Sequence, residues 1–168
     1  MPTSTEVAIA TTTLSSAAST ITFSSIPATY TDLRLVIVGT ASANDSYVGF
    51  RFNSDSATNY SRTWLYGDGA SAISSATTGA TAGIASQQKS LQTSTPSFYT
   101  IDVFSYAGST YKTTLCTAST DLNGSGVTVR NVNLWRSTSA ITRIDLITSG
   151  VQTYSAGTTA TLYGIKAA

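Results

Sequence analysis

The sequence predicts an all-β fold, an antiparallel β-sandwich of jelly-roll-like build in a single domain with a short N-terminal arm. Three observations predict it. First, serine and threonine supply 26 and 31 of the 168 residues, while strong helix formers are scarce, with one Glu and three Lys. Thr, Val, Ile and Tyr suit a pleated, half-buried surface, where their branched or ring side chains pack against cross-strand neighbours. Second, short segments alternate with a period of two and end at Gly, Asn, Asp or Ser. Third, the chain is 41% apolar but only 10% charged, with a net charge of +1. It carries the apolar content of a core and is solvated by hydroxyls; a disordered chain pairs low hydrophobicity with high net charge.

The elements follow in order. Residues 1–17 read as a polar arm with one weak apolar cluster, Val7, Ala8 and Ile9, and a short strand over Val7–Ala10. The sandwich domain spans 18–168, a size that removes about two-thirds of the unfolded surface from water. Residues 20–24 form a short strand. Residues 31–39 (TDLRLVIVG) form one that opens polar and becomes fully buried. In 47–53 (YVGFRFN), Val48, Phe50 and Phe52 oppose Tyr47, Gly49 and Arg51. Tyr60–Gly67 leads into a turn at Gly67-Asp68-Gly69. The stretch 70–97 breaks the rhythm: it is rich in Ala, Ser, Thr and Gly, with Ile73, Ile84 and Leu91 as its large aliphatics. It reads as a weak strand near 83–90, a surface loop, or a segment ordered by a neighbouring subunit, because a structureless loop of that length is unusual in a compact domain.

In 98–106 (FYTIDVFSY), Phe98, Thr100, Asp102, Phe104 and Tyr106 oppose Tyr99, Ile101, Val103 and Ser105. A hairpin turn over 107–110 leads to a strand over 111–119. Val127–Trp135 alternates cleanly, 140–147 follows, and 159–166 (TATLYGIK) closes the chain. About nine or ten short strands at this spacing fit a sandwich or barrel.

The composition excludes several functions. There is no His and one Glu, Glu6. Acid–base chemistry near neutral pH normally uses a His or a carboxylate pair. Cys116 is the only cysteine, which excludes an internal disulfide and a cysteine-rich zinc site. With no base to activate it, Cys116 reads as a small buried apolar residue. The basic residues Arg34, Arg51, Arg62, Lys89, Lys112, Arg130, Arg136, Arg143 and Lys166 are scattered, which argues against nucleic acid. No apolar run approaches the length of a membrane helix, and the N-terminus lacks a cationic start, so neither membrane nor secretory signal is expected.

Three motifs raise chemistry. Asn53, Asp55 and Asn59 place oxygens at loosely alternating positions, as a calcium loop does, but the glycine and terminal Glu are missing and a tight turn uses the same residues. Asp102 and Asp145 could serve a glycosidase if they faced one cleft; strand aspartates more often pair across strands, here with Arg143 or Lys112. The segment 69–74 (GASAIS) does not fit a nucleophile elbow. No catalytic, cofactor or metal residues are therefore assigned, and no enzyme is expected. The aromatic load points to surfaces instead: Tyr47, Tyr60, Tyr66, Tyr111 and Tyr154 sit at strand ends or beside turns and, with Val7 and Ile9, are the candidate interface residues.

Two stretches and a terminal motif carry a resemblance: Ser25-Ile26-Pro27-Ala28-Thr29-Tyr30-Thr31-Asp32-Leu33, then Arg51-Phe52-Asn53-Ser54-Asp55 through Asn59-Tyr60-Ser61, and finally Leu162-Tyr163-Gly164-Ile165-Lys166. Over roughly residues 20–166 the chain resembles virion structural proteins of tailed phages of cyanobacteria and marine bacteria. The resemblance implies a jelly-roll-like sandwich assembling as a homotrimer, used as a capsid decoration (cement) protein or as a head- or tail-fibre tip. A short arm and one sandwich, with no shaft, place decoration first. The implied partners are a second and third copy and the phage major capsid protein, with a host surface glycan only for a fibre tip. The implied location is the capsid exterior, after assembly in the host cytoplasm.

Overall fold

The computed structural model describes residues 5–44, 46–86 and 90–166, and they form a jelly-roll-like antiparallel β-sandwich. In chain order the strands are β1 (Glu6–Thr13), β2 (Thr20–Phe23), β3 (Asp32–Gly39), β4 (Val48–Phe52), β5 (Tyr60–Gly67), β6 (Ala72–Ala80), β7 (Gly83–Ile84), β8 (Ser97–Val103), β9 (Lys112–Thr120), β10 (Val127–Trp135), β11 (Ile144–Thr148) and β12 (Thr159–Ile165). One sheet has eight strands in the order β1-β12-β3-β8-β9-β10-β5-β6; the other has four, β2-β11-β4-β7. The chain crosses between the layers repeatedly, so each long strand is held by neighbours distant in sequence.

Alternation decides which side chains meet between the layers. From the large sheet come Leu33, Leu35, Ile37, Tyr99, Ile101, Val103, Cys116, Ala118, Val129 and Leu162; from the small sheet come Ile21, Phe23, Val48, Phe50, Phe52, Ile144 and Leu146, all buried. An aromatic cluster closes one end: Phe52 meets Trp135 edge-on at 5.5 Å, and Tyr60 stacks on Trp135 at 6.4 Å. Trp64, on β5, is half-buried and stacks on Tyr66 at 5.5 Å.

β7 is only two residues long, and β10 completes its bonding. The backbone N–H of Ile84 donates to Asn133 Oδ1 at 3.0 Å, and its carbonyl accepts from Asn131 Nδ2 at 3.0 Å and Asn133 Nδ2 at 3.2 Å. Two buried asparagines thus tie one sheet to the other through a strand too short to form much of a ladder.

Four expectations need correction. The segment 70–97 contains the nine-residue edge strand β6, paired with β5 from Gly67↔Ala72 to Tyr60↔Ala80. Both of its faces are largely exposed, so its backbone bonds hold it and no apolar alternation marks it. The stretch read as an arm is, over Glu6–Thr13, edge strand β1 against β12, and no boundary at residue 17 separates it from the sheet. Residues 1–4 of that arm lie outside the described residues. The strand over 98–106 ends at Val103, and Ser105 at φ 49° turns Tyr106 into the core, off the face assigned to it. Finally, Val38 in β3 is 42% exposed, because the small sheet covers only one face of that strand.

Candidate functional site

Two of the sequence motifs that raised chemistry turn out to build the scaffold. Asn53, at φ 51°, caps the loop before β11: its Nδ2 donates to Ala140 O at 2.9 Å, and its Oδ1 accepts from Thr142 N at 2.9 Å and Arg143 N at 3.2 Å. That capping keeps residues 140–143 out of strand geometry, so β11 starts at Ile144. Asp55 accepts from Ala57 N at 2.9 Å, Asn59 Nδ2 at 2.9 Å and Trp135 Nε1 at 2.6 Å. Burial opposes its ionisation, but these donors prevail and hold its carboxyl below the usual range. The oxygens face N–H donors, the opposite of what a cation needs. Among the described residues no group of three His, Cys, Asp or Glu could hold a metal ion.

Asp102 and Asp145 lie on opposite outer faces of the sandwich and share no cleft. Asp102, on β8, pairs with Arg34 on β3 at 2.6 Å. Asp145, on β11, pairs with Arg143 at 2.7 Å and accepts from Thr22 Oγ1 at 2.7 Å. Lys112, considered as a carboxylate partner, is buried and donates to the carbonyls of Gly108 at 2.6 Å and Thr110 at 2.5 Å, closing the β8–β9 turn. The thiol of Cys116 is buried in β9, and desolvation pushes it up to about 12, which removes it as a nucleophile.

The candidate interface residues divide. Tyr60 and Tyr154 are core residues, 1% and 0% exposed, and cannot contact a partner. The Tyr60 hydroxyl accepts from Phe52 N at 2.9 Å, and that of Tyr154 donates to Ile147 O at 3.1 Å. Burial raises both phenols above their ordinary value. Tyr111 is 54% exposed, while Tyr47, Tyr66, Val7 and Ile9 are half-buried.

The surface that these residues do not describe is the outer face of the eight-stranded sheet. Cross-strand register lays it out in rows. One row runs Tyr163, Arg34, Asp102, Leu115, Val132, Thr63; the next runs Thr161, Val36, Thr100, Thr117, Arg130, Leu65; a third holds Val38 beside Phe98. Leu65 is 57% exposed, and Val132, Val38 and Phe98 are each a little over 40%. Leu65, Leu115 and Val132 line an apolar depression of about 260 Å³ with Trp64 and Arg130 at its rim. Charge on the face is largely neutralised: Arg34 bridges Asp102 and, at 3.6 Å, Glu6. Toward the β1 edge, threonine hydroxyls pair across strands, Thr11 with Thr161 at 3.1 Å and Thr13 with Thr159 at 3.2 Å. The sequence signal for this face lay in the outward positions of β3, β5 and β10, where aliphatic residues occupy places that solvated strands give to polar ones.

No family model matches the chain, and no curated protein does. Among solved structures, the crystal structure of Caenorhabditis elegans galectin LEC-6 is similar at TM-score 0.38 and 14% identity, over 90% of this chain and 94% of that one. No helix among the described residues is long and apolar enough to cross a membrane.

Proposed function

We propose that this protein is a non-enzymatic virion structural protein, a capsid decoration (cement) protein that assembles as a homotrimer and bridges major capsid protein subunits. The observation that carries the reading is the outer face of the eight-stranded sheet, broad, near-neutral and hydroxyl-rich, with Leu65, Val132, Val38 and Phe98 exposed on it. Such a face meets another protein surface without charge repulsion, and its aliphatic groups gain by leaving water. A standard interface buries about 800 Å² per partner, which a sheet face of this width can supply. Edge strands β1 and β6 present unpaired backbone, which closed assembly covers.

The motifs that carry the resemblance to phage virion proteins support the reading through what they build. Tyr30, from the first motif, lies over Gly164 of the last, and Lys166 sits 5.9 Å from the Tyr30 ring centre. Asp32 accepts from Ser105 N at 2.7 Å. They fasten the segment before β3 to the end of β12 and to the turn after β8, stiffening one edge of the large sheet.

The test has two parts. Sedimentation of the purified chain is expected to give a trimer of the 17.4 kDa protomer. In purified virions, its copy number is expected to be comparable with that of the major capsid protein. A monomer together with only a handful of copies per particle would overturn the reading.

A further inference from the structure

A second surface feature is independent of that assembly reading. On the outer face of the four-stranded sheet, where the β6–β7 link folds over β4, lies a cavity of about 450 Å³. Its floor is Ile147, made accessible because the opposing residue across the strands is Gly49. Two guanidinium side chains, Arg51 from β4 and Arg62 from β5, line it together with Tyr47, Thr20 and Thr81.

Neither arginine has an ion-pair partner among the described residues. The ion pairs among the described residues involve Arg34 and Arg143 only. Arg51 stands opposite Asp145 in register, but that carboxylate is turned to Arg143, Thr22 and Ser54. The Nε of Arg51 donates instead to the Thr81 carbonyl at 3.2 Å. The Nε of Arg62 is shielded from solvent and has no hydrogen-bond partner among the described residues. Half-buried charge of one sign is costly to maintain and is normally compensated by a counter-charge.

We infer that this cavity binds an acidic saccharide, its carboxylate or phosphoryl group held by Arg51 and Arg62 and its hydroxyls by Tyr47, Thr20 and Thr81. Guanidinium forks match the geometry of both anionic groups, and the volume falls in the range of small-ligand sites. The Tyr47 ring and Ile147 supply the apolar surface that a sugar's C–H face needs.

The test is calorimetric titration of the full chain at constant ionic strength with glucuronate, glucose 6-phosphate and neutral glucose. At least one acidic probe is expected to bind saturably and glucose not at all; which acid binds distinguishes a uronate ligand from a sugar phosphate. Arg51→Gln and Arg62→Lys are each expected to weaken that binding by about tenfold or more. Arg51 is outside the core, so its variant tests the site even if the Arg62 variant folds poorly, and melting temperature identifies that case. Binding of glucose as tight as that of the acids, no binding of either acid, or unchanged affinity in a folded Arg51→Gln variant would overturn the inference.

Discussion

At the scale of single residues, the structure depends on a few places where one side chain occupies another's space. At Gly164 a Cβ would sit 2.4 Å from carbons of the Tyr30 ring, well inside van der Waals contact. Gly164→Ala is therefore expected to destabilise the fold by about 1–3 kcal/mol through overpacking. Tyr30→Ala combined with Gly164→Ala should cost less than the sum of the two, because the clash disappears with the ring. Denaturant unfolding of the three variants measures this, and strict additivity would show that the ring does not confine position 164. Ionisation acts at the same scale. Burial alone would raise the carboxyl of Asp145, but the Arg143 guanidinium and the Thr22 hydroxyl prevail and hold it below its ordinary value of 3.8. A depressed folded-state pKa means that the stabilisation is complete above the unfolded value and is lost as pH falls through the folded one. Stability is thus expected to decline as pH drops below 3.8, and Asp145→Asn should flatten that decline. Thermal melts across this acid range check it; an unchanged slope in the variant would show that Asp145 does not contribute.

At the scale of elements, β7 shows how side chains replace a ladder. Asn133 serves both backbone groups of Ile84 and also donates to Thr114 Oγ1 at 3.2 Å. Asn133→Ala leaves buried Ile84 groups short of partners and is expected to cost about 2–3 kcal/mol. Hydrogen exchange should show the loss centred on β4 and β7; uniform protection in the variant would contradict it. The same strand shows where sequence reasoning reached its limit. Alternation in β4, β8 and β10 was legible because the inward face of each is buried against the other layer, and the burial pattern of β10 repeats the sequence pattern residue for residue. β6 was not legible, because a strand wet on both faces has no reason to alternate. Asn131 and Asn133 were placed on a face by period but not recognised as inter-sheet clamps, since their partner is backbone, which has no sequence signature. Tyr60 and Tyr154 were misread as surface residues because a strand end next to a turn is usually wet; here the layers close over both rings.

At the scale of the whole molecule, the two outer faces of the sandwich differ in kind. The small sheet's face carries the Arg143–Asp145 pair and the Arg51 and Arg62 cavity, whereas the large sheet's face is broad and nearly neutral, with its apolar groups outward. Leu65 and Val132 add nothing to solubility at outward positions where Thr or Ser would serve, so under the proposed assembly they are the positions at which contact is to be tested. The expected consequence separates folding from assembly. Leu65→Glu with Val132→Glu places two carboxylates on exposed positions, where substitution alters monomer stability little. Across an interface the same charges are desolvated without partners and oppose association strongly. The double variant should melt within a few degrees of the parent yet sediment as a monomer, while Thr20→Glu on the opposite face should leave the assembly intact. A double variant that still assembles would move the contact surface away from this face, to the edge strands β1 and β6, where pairing depends on backbone and tolerates charge at outward side chains.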